Sequence, residues 1–282
     1  MTDRESAPRG RDLLSSVVDR LDAPEAAHLD DITVGDAAIL VELRRDGRRL
    51  AGVAHRPPDD TVLGDPSVET LLGWAMAPAG SIAGVRKAAG VAAVNALSAP
   101  RMEWRYGDPM ANLPAPVDDV ATVGFFAPAV DRFDDVTVHV VERERIETPP
   151  STEGVDVVTY TPADADRAFA DADVVFVTGS TLLYGGFGRY LTAAPAGVPV
   201  TLIGATASFL PEVVFDAGVT VLAGAEVADA DAVRAAVAAG GCGSALHDAG
   251  LRKGYVRADT RPAVAPGGPV DTDADTDTDT NQ

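Results

Sequence analysis

The spacing of hydrophobic positions changes near residue 118, and that change divides the chain. Before it, Leu13, Leu14, Val17, Val18 and Leu21 recur at helical period within residues 12–27. Apolar-rich runs at 37–43 and 49–54 are joined by RRDGR, where Asp46–Gly47 is a tight-turn signal, so this stretch reads as a β-hairpin. Helices are expected over 67–76, with Ser67 as N-cap, and over 82–97. Beyond residue 118, short β-branched runs (121–126, 136–141, 173–179, 198–204, 219–224) alternate with helical stretches around 162–170, 181–193, 211–217 and 229–239. Nearly continuous apolar strands separated by helices predict a parallel sheet covered on both faces. The expected fold class is α/β. A small α+β domain at 12–106 and a linker at 107–118 lead into a Rossmann-like, doubly wound parallel-sheet domain at 119–258.

After Arg86 and Lys87, the 82–97 helix reads AAGVAAVNAL with no charge on any face, which predicts burial nearly all round. Asn95 lies inside that run. A buried carboxamide must find partners or cost about 1–3 kcal/mol. It either ties down the backbone of a neighbouring loop or points at a ligand between the domains.

Composition narrows the class. An apolar fraction of 46% is ample for a core, and the longest apolar stretches are broken by Arg86 and Lys87 or by Gly and Asp, so no membrane span of roughly 18 residues is expected. The N-terminus MTDRESAPRGRD has no apolar region, so no secretory signal is expected. Residues 1–11 and the acidic tail 259–282 are expected to be disordered. A single cysteine, Cys242, excludes an internal disulfide and a multi-thiolate zinc site. A soluble cytoplasmic protein is the expectation.

A net charge of −20 argues against nucleic acid as a partner. The acids are mostly Asp (32 against 11 Glu) and the bases almost all Arg (21 against 2 Lys), so short hydrated carboxylates have displaced lysine stems. Such a surface repels itself until salt screens it, which suggests a salt-in halophile. That reading also devalues any lone Asp as a metal ligand.

Ligands of open α/β sheets bind at the carboxyl ends of the strands. The first such end, GFFAP (124–128), has one glycine where a dinucleotide fingerprint needs three, and Phe125 and Phe126 would obstruct a pyrophosphate. The second strand ends at Glu142, placed like a ribose-binding acid but equally readable as a solvated strand end. In GSTLLYGG (179–186), Gly179 allows a tight turn, and Ser180 or Thr181 can cap the following helix, whose start would form an anion site. GATASFLP (204–211) brings Gly204 and Thr206 out of the next strand, and the two loops together define a crevice. Of the four histidines, His55 is the one placed in a loop near a site, and His139 reads as a core or sheet-edge residue.

The run GVAAVNAL (90–97), VGFFAP, Glu142, VTGSTLLYGG and above all LIGATASFLPEVVFDAGVTVLAG (202–224) together resemble the putative heavy-metal chelation family. The resemblance implies an enolase N-terminal-like domain paired with a Rossmann-like domain and a site in the cleft between them. Carried over residue by residue, it points to Asn95, Glu142, Ser180, Thr181, Gly204 and Thr206, with Gly179 in the same loop. The chain departs from the family pattern at Gly204–Ala205–Thr206, where a Gly-Pro-Thr/Gly loop is usual. The expected ligand is a small molecule, a divalent metal ion or a metal held by a small chelator, because soft metals want thiolate or imidazole and this crevice offers hydroxyls, an amide and one carboxylate. The rival expectation is an enzyme using a nucleotide or S-adenosylmethionine-like ligand, with Glu142 as its titrating group. A homodimer is the expected assembly. Glu142→Gln and Asn95→Ala are both expected to weaken binding with little loss of fold.

Overall fold

The computed structural model describes residues 13–107, 109–112, 116–125, 135–144, 146 and 154–258; both expected disordered ends and Phe126 lie outside them. The first unit holds α1 (Leu13–Val18), the antiparallel sheet β1 (His28–Val34), β2 (Ala38–Arg45) and β3 (Arg48–His55), and helices α2 (Val68–Met76) and α3 (Gly84–Ser98). The β2–β3 hairpin turns at Asp46 (φ 52°) and Gly47 (φ 73°), the two left-handed residues that a type I′ turn requires. The Ser67 side chain accepts from Thr70 N–H and starts α2. The first helix is shorter than its apolar period suggests: the chain leaves α1 at Val18, and Pro24 opens a 3-10 turn. Leu21 is buried in coil all the same.

The second unit is built on a sheet of eight strands. These are β4 (Arg105–Tyr106), β5 (Asp119–Val123), β6 (Val136–Val141), β7 (Val155–Tyr160), β8 (Val174–Thr178), β9 (Val200–Ile203), β10 (Val221–Val227) and β11 (Leu251–Arg257), in spatial order β4-β11-β10-β9-β8-β5-β6-β7. Six of them, β7-β6-β5-β8-β9-β10, are mutually parallel. Numbered from β5, that is the 3-2-1-4-5-6 order of a doubly wound sheet. The sheet is mixed rather than wholly parallel, because β11 returns antiparallel on β10 and carries β4 on its outer edge. Helices α4 (Ala165–Ala168), α5 (Thr181–Tyr184), α6 (Phe187–Ala193), α7 (Glu212–Asp216), α8 (Ala230–Ala238) and α9 (Ser244–Asp248) complete the unit. The helical stretch expected over 181–193 breaks at Gly185–Gly186, both at positive φ.

The two units share their packing. Ile39, Val41 and Leu43 face α1–α3 in a cluster that continues into Val123, Phe169, Leu202 and Val214 of the second unit. On the opposite face of the small sheet, Ala38, Leu40 and Val53 pack against Val233 and Val237 of α8 and Leu246 of α9. Glu42, on that same face and 1% exposed, takes Arg49 of its own sheet and Arg234 of α8. Helix α3 is buried from Ala88 to Ser98, as its charge-free sequence requires. Its small residues allow close crossings: a Cβ on Gly90 would stand 2.4 Å from Ala75 N of α2, and one on Gly52 of β3 2.2 Å from Ala92 O. Lys87, at 2% exposure, donates from Nζ to the carbonyls of Ala75 (2.9 Å) and Ala77 (2.6 Å) at the C-terminal end of α2. A cation there satisfies orphan carbonyls and complements the helix dipole.

Candidate functional site

The loops leaving β8 and β9 meet because their glycines let them. Gly179 N–H donates to Ile203 O, and a Cβ on Gly179 would press on Ala207 N at 3.0 Å and Thr206 Cβ at 3.1 Å. Gly204 sits at φ 118°, a conformation that L side chains rarely adopt. Around these loops, the end of β3 and the loops after β5 and β6 enclose a cavity of about 470 Å³ between the two units.

Glu142, Gly179, Ser180, Thr181, Gly204 and Thr206 all line this cavity, and Asn95 stands behind it. Asn95 is 2% exposed, and its Nδ2 donates to Val53 O (2.9 Å), Thr206 O (3.1 Å) and Ala205 O (3.3 Å). The amide therefore clamps the β9 loop of the second unit onto β3 of the first. Its Oδ1 has no partner among the described residues. Because the donors hold backbone, the expectation that Asn95→Ala leaves the fold intact does not stand.

Glu142 is half-buried and accepts the N–H of Phe125 on Oε1, so it fixes the loop after β5. Ser180 does not cap the next helix: its hydroxyl pairs with Thr178 Oγ1 at 2.8 Å. Thr181 Oγ1 donates to Thr178 O instead. Helix α5 is a single turn, too short for an aligned macrodipole, which removes the physical basis for an anion site at its start. Thr206 Oγ1 accepts the N–H of His55 at 2.9 Å and ties the two units a second time.

His55 is brought into the cleft as its loop position suggested. Its Nε2 lies 3.1 Å from the Tyr184 hydroxyl. The surrounding protein pushes the His55 pKa down; a hydrogen bond to the Ala37 carbonyl opposes that, and the charge of Arg143 adds to it. A neutral imidazole carries one N–H and one lone pair, so His55 Nε2 and the Tyr184 hydroxyl bond in either tautomer. The Arg143 guanidinium lies 3.7 Å from the centre of the Tyr184 ring. Tyr190, almost fully buried, lines the floor, where burial raises its pKa.

Arg143, Tyr184 and Tyr190 were not among the expected site residues, and neither was Cys242, whose single occurrence excluded only a disulfide and a thiolate cluster. Cys242 is exposed and lines the cavity. Arg143 had a usable signal, since it follows the strand-end Glu142 directly. The two tyrosines belong to short helices after β8 and gave none. His139, mid-strand in β6, is held by Asp119 (2.9 Å) and Tyr160 (3.2 Å) on the flanking strands, away from the cavity lining.

The family model described as "Putative heavy-metal chelation" (DUF364) matches residues 111–255, more than half of the chain. The chain belongs to this family. Two solved structures of DUF364 proteins of unknown function share the fold. One from Pyrococcus horikoshii has a TM-score of 0.72 and 20% identity, over 87% of this chain and 100% of that one. One from Desulfitobacterium hafniense has a TM-score of 0.68 and 16% identity, over 87% of this chain and 97% of that one. No curated protein matches the chain. The DUF364 match spans the strand-end loops with Glu142, Ser180 and Thr206; His55 and Asn95 lie outside it, in the first unit. Among the described residues no group of three or more His, Cys, Asp or Glu side chains is arranged to hold a metal ion. His55, Glu142 and Cys242 line the cavity without forming such a group, so the donor set among the described residues does not fit direct chelation by side chains.

Proposed function

We propose that the interdomain cleft binds a metal ion already held by a small chelator, recognising the chelator rather than the ion. The observation that carries this reading is the make-up of the cavity wall. Hydroxyls of Ser180, Thr181, Thr206 and Tyr184, loop backbone and Arg143, with one imidazole (His55), one thiol (Cys242) and one carboxylate (Glu142) that form no metal-binding cluster among the described residues, line about 470 Å³, a volume in the usual range for small-molecule sites. Such groups bond the oxygens and nitrogens of an organic shell. A soft metal taken directly would need a thiolate or imidazole cluster. Titration calorimetry in about 2 M KCl, with ferric citrate against free Ni²⁺ and Zn²⁺, tests it; the salt is set by screening of the acidic surface. Saturable one-to-one binding of the complex and none of the free ions is expected. Stoichiometric binding of a bare ion, with none of the complex, refutes the reading.

A second reading, an enzyme acting on a nucleotide or S-adenosylmethionine-like ligand, is favoured by one observation. The β5–β8 switch point opens into this cleft, with Glu142 at the end of the second strand in the 3-2-1-4-5-6 order. Glu142 Oε1 is engaged by Phe125 N–H, which leaves Oε2 to receive a ribose hydroxyl. A thermal shift with S-adenosylmethionine or ATP that Glu142→Gln abolishes, together with no response to ferric citrate, would move the assignment to this class.

A further inference from the structure

Acidic side chains outnumber basic ones 43 to 23 in this chain, and its arginines accordingly tend to be paired. Arg20 meets Asp216, Arg44 meets Asp30, and Arg49 and Arg234 both meet Glu42. Arg143 differs from these. It is the one lysine or arginine among the described residues that line the cavity, and it makes no ion pair among the described residues. Its sequence neighbour Glu142 is turned away to the amide of Phe125.

Arg143 is nonetheless held in place. Its guanidinium carbon stands over the Tyr184 ring, 3.7 Å from the ring centre. The Tyr184 hydroxyl is fixed by His55, and the His55 backbone by Thr206. Stacking on an aromatic face leaves the N–H groups at the guanidinium rim free to bond a planar oxyanion, and lowers the entropy lost when they do so. In molar KCl the long-range repulsion of anions by a net charge of −20 is screened, which leaves short contacts such as those of the Arg143 guanidinium rim to select the ligand.

From this we infer that Arg143 determines the specificity of the cleft, and that the ligand presents a carboxylate or phosphate group to it. The inference rests on the cleft-binding reading above and adds the charge of the ligand and the residue that reads it.

The test uses the full-length protein in KCl sufficient to keep it folded. Calorimetry compares anionic ferric citrate with cationic cobalt(III) hexaammine, and runs ATP and inorganic phosphate as separate arms, on the natural protein and on Arg143→Gln and Arg143→Lys. The anionic probe is expected to bind at least tenfold more tightly than the cation. Arg143→Gln should weaken it by at least tenfold with an unchanged melting temperature, since the side chain is exposed, and Arg143→Lys should recover only part of the loss. The citrate and phosphate arms show which oxyanion is taken. Equal affinity of ferric citrate for the natural protein and Arg143→Gln overturns the assignment of Arg143 while the cleft reading stands. Tighter binding of the cation overturns the ligand charge. Absence of binding by every probe overturns the cleft reading itself, and this inference with it.

Discussion

Replacing Gly52 by alanine probes the contact on which the cleft is mounted. Gly52 lies in β3, and an added methyl would stand 2.2 Å from Ala92 O, 2.4 Å from Ala96 N and 2.9 Å from Asn95 Cβ. Ordinary contact begins near 3.4 Å, so α3 would have to retreat by about 1 Å, or β3 bend away. The obstacle is helix backbone, which cannot rotate aside. Overpacking of this kind costs about 1–3 kcal/mol. Loss of glycine freedom in the unfolded chain gives back about 0.4–1 kcal/mol, and the middle of the two ranges leaves a net loss of about 1.3 kcal/mol. Gly73 of α2 is the control, since nothing stands within 4 Å of its Cβ position; Gly73→Ala should gain about 0.5–1 kcal/mol. Urea unfolding in about 2 M KCl, the salt again set by screening, measures both. A Gly52→Ala protein as stable as the natural one, or more stable, would refute the close-packing argument. Because the displaced turn of α3 carries Asn95, ferric citrate affinity should fall in the same variant if the clamp positions the β9 loop.

Four further outcomes are expected. Asn95→Ala removes the amide donor from the buried carbonyls of Val53 and Thr206, while Ala205 O keeps the Ser208 hydroxyl, and should cost about 1–3 kcal/mol in urea unfolding, with weaker ligand binding by calorimetry. Glu42→Ala leaves Arg49 and Arg234 without their shared carboxylate; breaking a buried pair costs about 3–5 kcal/mol, and the low end applies because both arginines can reach water, so a loss below about 1 kcal/mol would contradict the clamp. Acid should weaken the fold through two carboxyls. Burial pushes Asp59 up, but hydrogen bonds from Val85 and Thr61 and the charge of Arg56 together hold it below its ordinary value, and the amides of Asp119 and Asp118 hold Asp173 down likewise. Stability from such depressed acids is fully present above their ordinary pKa of 3.8 and lost as pH falls through the lower folded values, so urea midpoints should drop below about pH 4 and Asp59→Asn should flatten that slope. Finally, the acidic surface should make stability depend on salt: circular dichroism melts should collapse as KCl falls below about 1 M, and full stability in dilute buffer would exclude halophilic adaptation.

The parts of the fold that sequence made legible are those where a single local rule acts. The Asp46–Gly47 hairpin, the Ser67 cap, the buried α3 and the parallel strands β5, β6, β8, β9 and β10 each carry their own signal. The strands that escaped notice carry mixed signals. In β1, HLDDITV, a register shift between Leu29 and Asp31 interrupts the alternation. In β7 and β11, VDVVTY and LRKGYVR place polar residues among the apolar ones, as suits strands with a partly solvated face. Within the site, the glycines and hydroxyls at strand ends could be found because the binding end of a parallel sheet is set by topology. Arg143, Tyr184, Tyr190 and Cys242 converge on the cavity from four separate segments, and only the tertiary fold brings those together.

The same packing bears on how the cleft would work. Two-domain clefts commonly close on their ligand when the interface between the units is small and polar. Here the small sheet is buried on both faces, by α1–α3 on one side and by α8 and α9 of the second unit on the other. Links between the units include Asn95 to Ala205 and Thr206, His55 to Thr206 and Tyr184, and Glu42 to Arg234. Swinging one unit against the other would break these and expose Leu40, Val53, Val233 and Val237 to water. The cleft is therefore preformed, with Arg143 and Tyr184 already stacked inside it. Free and ligand-bound protein should accordingly show the same radius of gyration in solution scattering, and a contraction on binding would require a hinge that this interface does not provide.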